Sequence, residues 1–135
     1  RLTEYNLTRD DFYLTDKERS LINQLRELTN HEKCFQVFSY ETAITYYLNK
    51  QSCTKFHHVF NLGPKKNQFL FIDELKKTKP KFILIGGNYE RIGNMKGRTN
   101  VELSAKDRFP YINTFIMKNY KLFKKIDNWK ILIKI

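Results

Sequence analysis

The apolar and polar positions alternate between two periods along the chain. From Thr15 it reads Thr-Asp-Lys-Glu, a capping box with Thr15 as N-cap and Glu18 three residues on, and Leu21, Ile22, Leu25 and Leu28 then recur on one face. This spacing predicts an amphipathic helix ending near Asn30. Cys34 to Phe38 is a short run of strand formers, and Ser39-Tyr40-Glu41 opens a second helix with the stripe Ala43, Ile44, Tyr47 and Leu48. Thr54 to Phe60 reads as another strand, Asn61-Leu62-Gly63-Pro64 as a turn, and Asn67 to Lys79 as a helix buried through Phe71, Ile72 and Leu75 and stopped by Pro80. Lys76, Lys77 and Lys79 suit the negative end of that helix dipole.

Lys81 to Ile85 is a nearly continuous apolar run closed by Gly86-Gly87, the pattern of a central strand covered on both faces. Residues 88 to 107 carry Gly93 and Gly97 and show neither period, which makes them a long loop. Asp107 and Pro110 start a long helix with Ile112, Phe115, Ile116, Tyr120, Phe123 and Ile126 inward. Trp129, Ile131, Ile133 and Ile135 alternate with Lys130 and Lys134, as in a half-exposed edge strand. Strict alternation of helix and strand implies a parallel sheet. The expectation is therefore a small three-layer, Rossmann-like α/β domain, with a mostly parallel four-stranded sheet in the order 2-1-3-4 and helices on both faces. One domain spans 1–135, with 1–14 as a linker-like segment and 88–107 as the long loop.

Composition agrees with a packed core: the 135 residues are 41% hydrophobic, 15% aromatic and 29% charged, which excludes a disordered or fibrous chain. No apolar run approaches the roughly 20 residues that cross a bilayer. The start at Arg1, without Met and without an apolar leader, is read as that of a piece of a longer protein. The net charge of +11 invites a nucleic-acid or anionic-membrane partner. Because 18 of the 25 basic residues are Lys, in a chain also rich in Asn and Ile, an AT-rich coding sequence would give the same charge with no partner selected.

In a parallel sheet, ligands bind beyond the carboxyl ends of the strands. The loops expected there supply Ser39, Tyr40 and Glu41, then Asn61 and Gly63, then Asn88, Tyr89, Glu90, Arg91, Arg98 and Arg108. From these, Ser39, Glu41, Asn88, Arg91, Arg98 and Arg108 form the candidate ligand-binding set. Forked guanidinium groups beside free helix N-termini suit a phosphate or carboxylate, while ordinary loop polarity accounts for the same residues without a ligand. The turn at Ser39-Tyr40-Glu41 lacks the glycines of a dinucleotide site, and there is no Walker A sequence. His31, His57 and His58 share no metal-ligand spacing, and Asp73 and Glu74 point in different directions on their helix, so neither a metal, a cofactor nor a catalytic residue is assigned.

Cys34 begins the first expected strand and Cys53 precedes the second, so a right-handed crossover brings both to one end of the sheet. Neighbouring strands lie about 4.8 Å apart, within disulfide reach. A disulfide between Cys34 and Cys53, marking an oxidising compartment, and two buried free thiols both fit this placement. Asn6-Leu7-Thr8 also matches a glycosylation acceptor, a short pattern of little specificity.

The run from Phe38 to Lys134 resembles the soluble C-terminal domain of multi-spanning membrane glycosyltransferases that use polyprenyl-phosphate sugars, the dolichyl-phosphate-mannose and aminoarabinose transferase type. The residues that carry the likeness are Thr45-Tyr46-Tyr47-Leu48 leading into Thr54-Lys55-Phe56, the stretch Phe71-Ile72-Asp73-Glu74-Leu75 through Lys79-Pro80-Lys81-Phe82 to Ile85, Phe115-Ile116-Met117-Lys118-Asn119-Tyr120, and Lys125-Ile126-Asp127-Asn128-Trp129-Lys130-Ile131. They form a pattern of residue types rather than a catalytic signature. The resemblance implies an extracytoplasmic (periplasmic) domain of a membrane protein whose partner is the transmembrane part of the same chain. It places the catalytic carboxylate in a loop between the first membrane helices, outside this sequence. The implied role is to cover the membrane active site or to help bind a lipid-linked sugar or its acceptor, at the membrane surface. A basic nucleic-acid-binding module, with Tyr89 and Tyr111 as stacking platforms, and a small enzyme or binding protein for an anionic metabolite are the alternatives.

Overall fold

The computed structural model describes residues 14–39, 44–57, 59, 61–86 and 105–135. Helix α1 (Asp16–Leu28) starts where the capping box puts it, with the Glu18 N–H donating to the Thr15 hydroxyl at 3.2 Å. Strand β1 (Gln36–Phe38) and helix α2 (Ile44–Leu48) follow, then helix α3 (Lys65–Thr78) and strand β2 (Phe82–Gly86). Helix α4 (Ala105–Arg108) leads into α5 (Pro110–Asn119), strand β3 (Tyr120–Ile126) and strand β4 (Trp129–Lys134). The linker-like segment lies almost wholly outside the described residues, as does most of the long loop at 88–107.

The sheet runs β1-β2-β4-β3 and is mixed rather than mostly parallel. Only β1 and β2 are parallel; β2 with β4 and β4 with β3 are antiparallel, so the Rossmann-like, 2-1-3-4 expectation is wrong. Two local events overturn it. The helical stripe from Ile112 to Ile126 stops at Asn119, and the remaining residues turn back as a hairpin through Asp127-Asn128, with Asp127 in the left-handed region at φ 54°. A two-residue turn of this kind fixes an antiparallel pair, and in the ladder to β4 Tyr120 reaches one core of the sheet and Ile126 packs against the other. Strand β4 consequently lies inside the sheet, not at its edge.

The second event is at Thr54 to Phe60, whose described residues form no strand. The Thr54 hydroxyl accepts from the Phe56 N–H at 3.1 Å, a local turn that competes with extended pairing. Among the described residues, a parallel bridge between Cys34 and Gln51, just before β1, stands in place of the second expected strand.

Two hydrophobic cores flank the sheet. Phe71, Ile72, Leu75, Ile112 and Ile116 bring α3 and α5 onto the face presented by Phe38, Ile83, Tyr120 and Leu132. Leu21, Ile22, Leu25, Ile44 and Leu48 bring α1 and α2 onto the face presented by Val37, Phe82, Leu84 and Ile131. The alternation of Phe82, Ile83 and Leu84 between the two clusters is the period-2 pattern of a strand covered on both sides. Phe38 sits between Phe71 and Phe109, with ring centroids 5.6 and 5.5 Å away, the separations at which aromatic pairs add about 1 kcal/mol each beyond burial. Gln36, though fully buried, is satisfied: its amide donates to the Val37 and Phe56 carbonyls and accepts from the Ser52 and Thr54 hydroxyls.

Candidate functional site

Of the six candidate ligand residues, the structure describes two. Ser39 ends β1 fully buried, and its hydroxyl donates to the Gly86 carbonyl at 3.0 Å while its own carbonyl accepts from the Val59 N–H at 3.2 Å. The first bond joins the ends of β1 and β2, and the second holds Val59 against the end of β1. Arg108 closes α4 half-buried, with its guanidinium 5.7 Å from the Phe109 ring centroid. Glu41, Asn88, Arg91 and Arg98 lie outside the described residues, as do Tyr40, Tyr89 and Glu90.

Cys34 and Cys53 are joined by a disulfide, with Cα atoms 4.9 Å apart. The short approach comes from the Cys34 to Gln51 bridge and from the Phe35 N–H donating to the Gln51 carbonyl at 2.9 Å, rather than from a second full strand. Among the described residues no three His, Cys, Asp or Glu side chains cluster as a metal site. No helix of the described residues is long and apolar enough to cross a membrane. Tyr111 is partly exposed, with its ring centroid 4.9 Å from that of Phe69 at an interplanar angle of 40° and Lys65 lying 5.3 Å from its centroid.

Among the described residues, a concave feature lies at the other end of β2 from Ser39 and Gly86. Between the C-terminal halves of α3 and α5 a groove of about 580 Å³ is floored by Ile72, Leu75, Phe115 and Tyr120 and rimmed by Lys76, Lys79, Lys118 and Lys134. Each element contributes by its geometry. Ile72, Leu75, Lys76 and Lys79 follow the 3.6-residue spacing of one face of α3, so the apolar floor and the cationic rim share a helix. Lys79 caps that helix in the left-handed conformation at φ 49°, and its N–H donates to the Leu75 carbonyl. Asn119 ends α5 and its carbonyl accepts from the Ile135 N–H, while Lys134 pairs with Tyr120 across the hairpin and its N–H donates to the Lys81 carbonyl. The Tyr120 hydroxyl donates to the Pro80 carbonyl at 2.7 Å, which ties the strand to the end of α3. Burial raises this phenol to a pKa of about 12.

Among the described residues none of the four lysines is in an ion pair; Lys76 lies 6.0 Å from the Phe115 ring centroid. A sequence reading finds Lys76 and Lys79 only as partners of their own helix dipole. Lys118 and Lys134 reach them through the hairpin, which helical periodicity concealed.

No protein-family model and no curated protein sequence matches the chain. Two solved structures of the C-terminal globular domain of oligosaccharyltransferase from Archaeoglobus fulgidus are similar to it. The first is 13% identical with a TM-score of 0.48, over 90% of this chain and 99% of that one. The second is 12% identical with a TM-score of 0.44, over 90% of this chain and 97% of that one. Likeness at this level transfers no activity.

Proposed function

We propose that this chain is a non-catalytic, extracytoplasmic domain of a glycosyltransferase-like integral membrane protein, which covers a membrane active site or helps to bind a lipid-linked sugar or its acceptor. The observation that carries the proposal is the Cys34–Cys53 disulfide, because such bonds form and persist in oxidising compartments and are rare where glutathione keeps thiols reduced. The resemblance of Phe38 to Lys134 to polyprenyl-phosphate-sugar transferase domains supplies the parent type and the transmembrane partner. The cationic composition favours a surface that works beside anionic headgroups. Arg91, Arg98 and Arg108, on and beside the segment 88–107, belong to the same proposal as contacts for the ligand.

The test is topology in cells that express the native full-length protein. A membrane-impermeant amine reagent applied to intact cells or spheroplasts is expected to label lysines of this domain. Maleimide–polyethylene glycol is expected to shift the protein on gels only after reduction. Recovery in the soluble fraction with both thiols free and lysines protected in intact cells would reject the reading.

A further inference from the structure

We infer that the groove between α3 and α5 is a binding site for the phosphate group of an anionic lipid. It deepens the reading above and rests on it in one respect, that a bilayer lies within reach.

Two helices end at the groove, and each C-terminus contributes roughly half a negative charge. Against about one negative charge in total stand four ammonium groups, Lys76, Lys79, Lys118 and Lys134, and no acidic side chain among the described residues lines the groove. The surplus, roughly three positive charges, exceeds what the helix ends require. It favours an anion at the rim. Lysines provide strongly hydrated point charges rather than planar forks, which suits a phosphate oxygen more than bidentate capture of a carboxylate.

The floor then selects among phosphates. Ile72, Leu75 and Tyr120 are buried and Phe115 is half-buried, whereas the polar side chains there are occupied: the Thr114 hydroxyl donates to the Pro110 carbonyl and the Asn119 amide to the Phe115 carbonyl. An inorganic phosphate would satisfy the rim and leave the floor wet. A phosphate that carries an apolar chain covers both, and about 580 Å³ falls within the range of small-molecule sites. Ile135, 74% exposed, continues the theme next to Lys134, with its N–H on the carbonyl of the groove-lining Asn119. Apolar side chains interleaved with lysines are the composition of a face that rests on an anionic bilayer.

The experiment uses this chain and vesicles of phosphatidylcholine with or without phosphatidic acid, read by sedimentation. Binding is expected only with phosphatidic acid, and the double substitution Lys76→Gln, Lys118→Gln is expected to weaken it about 30-fold, since each lysine near such a surface contributes about a factor of five. Lys33→Gln with Lys66→Gln removes the same charge from exposed positions off the groove and is expected to weaken binding less than about threefold. Amine-acetylation footprinting gives a second readout that needs no variant: dihexanoyl phosphatidic acid should protect Lys76, Lys79, Lys118 and Lys134, while inorganic phosphate should not. Equal losses in the two double variants, equal protection by inorganic phosphate, or equal binding to neutral vesicles would each overturn the proposal. So would occupation of the groove by polyglutamate in preference to the lipid. Loss of vesicle binding with membrane localisation and the disulfide intact would remove the groove alone. Binding at the groove by a soluble, reduced cytoplasmic protein would remove the domain reading alone.

Discussion

Tyr120 and Ile126 lie six residues apart in one strand, yet Tyr120 belongs to the core under α3 and α5 while Ile126 packs against the core under α1 and α2. An even separation in a regular strand would put both on one face. The phase changes at an irregularity between Leu122 and Lys124: Leu122 pairs with Leu132, Lys124 with Ile131, and Phe123 is the extra residue. A bulge of this type moves all later side chains to the opposite face. Phe123 is not idle, since its ring sits 5.6 Å from Phe82.

Deletion of Phe123 is therefore expected to do more harm than its truncation. Without the extra residue, either Tyr120 or Ile126 must leave its core. Phe123→Ala should cost about 1 kcal/mol, as for a half-exposed aromatic contact, whereas the deletion should cost about 3 kcal/mol or more. Urea denaturation of the two variants checks the order; a deletion no worse than the alanine variant would mean that the bulge has no role in register.

Gly86 has φ 120°, and a Cβ there would meet the Asn128 carbonyl oxygen and lie 2.9 Å from the Trp129 Cα. Both contacts are backbone, so no side chain can swing aside. Gly86→Ala is expected to cost about 3 kcal/mol from strain and overpacking together. Thermal unfolding measures it, and a melting temperature within about two degrees of the parent's would show that the end of β2 yields easily.

Cys34 and Cys53 are separated by 19 residues. Cross-linking a loop of that size removes unfolded-state entropy equivalent to about 3 kcal/mol. The variant Cys34→Ser, Cys53→Ser should melt roughly 10 °C lower than the oxidised protein. Reduction of the parent chain should reproduce that shift without any substitution, and a reductant-insensitive melting curve would contradict it.

The Tyr120 phenol, held neutral by burial to about pH 12, gives a specific alkaline signature. The ordinary phenol pKa is 10.0, so the unfolded chain ionises first. Stability from this group is complete below about pH 10 and is lost between about pH 10 and 12, by about 2 to 3 kcal/mol. The informative quantity is thus the difference between the parent chain and Tyr120→Phe, which should shrink as pH rises from 9 to 12; a constant difference would mean that the hydroxyl is ionised in the folded state at its ordinary pKa.

How much of this was legible in the sequence follows from which signals are local. Thr15 and Glu18 announce α1 because capping is decided within four residues. The run Phe82-Ile83-Leu84-Ile85 announces an interior strand because both of its faces need cover. Ile112, Ile116, Tyr120 and Phe123 mislead, since a helix followed by a bulged strand keeps a spacing of three and four past the point where the helix ends. Asp127-Asn128 held the correcting signal, a two-residue turn before an alternating strand. The disulfide partners were legible as neighbours, although the second strand argued for them is a bridge. The lysine groove was not legible, because its rim is assembled from α3, α5 and β4 and depends on the hairpin reversal.

The sheet ends on one side at β1, three residues long and preceded by the Cys34 to Gln51 bridge, and on the other at β3, which presents Lys121, Lys124 and Lys125 along a bulged margin. Unpaired margins are where chains add to one another, and short length, lysines and bulges are the devices that prevent it. Both ends of this sheet are thereby poor templates for a further strand, so at high concentration the chain should resist fibril formation even with Leu122 and Phe123 exposed.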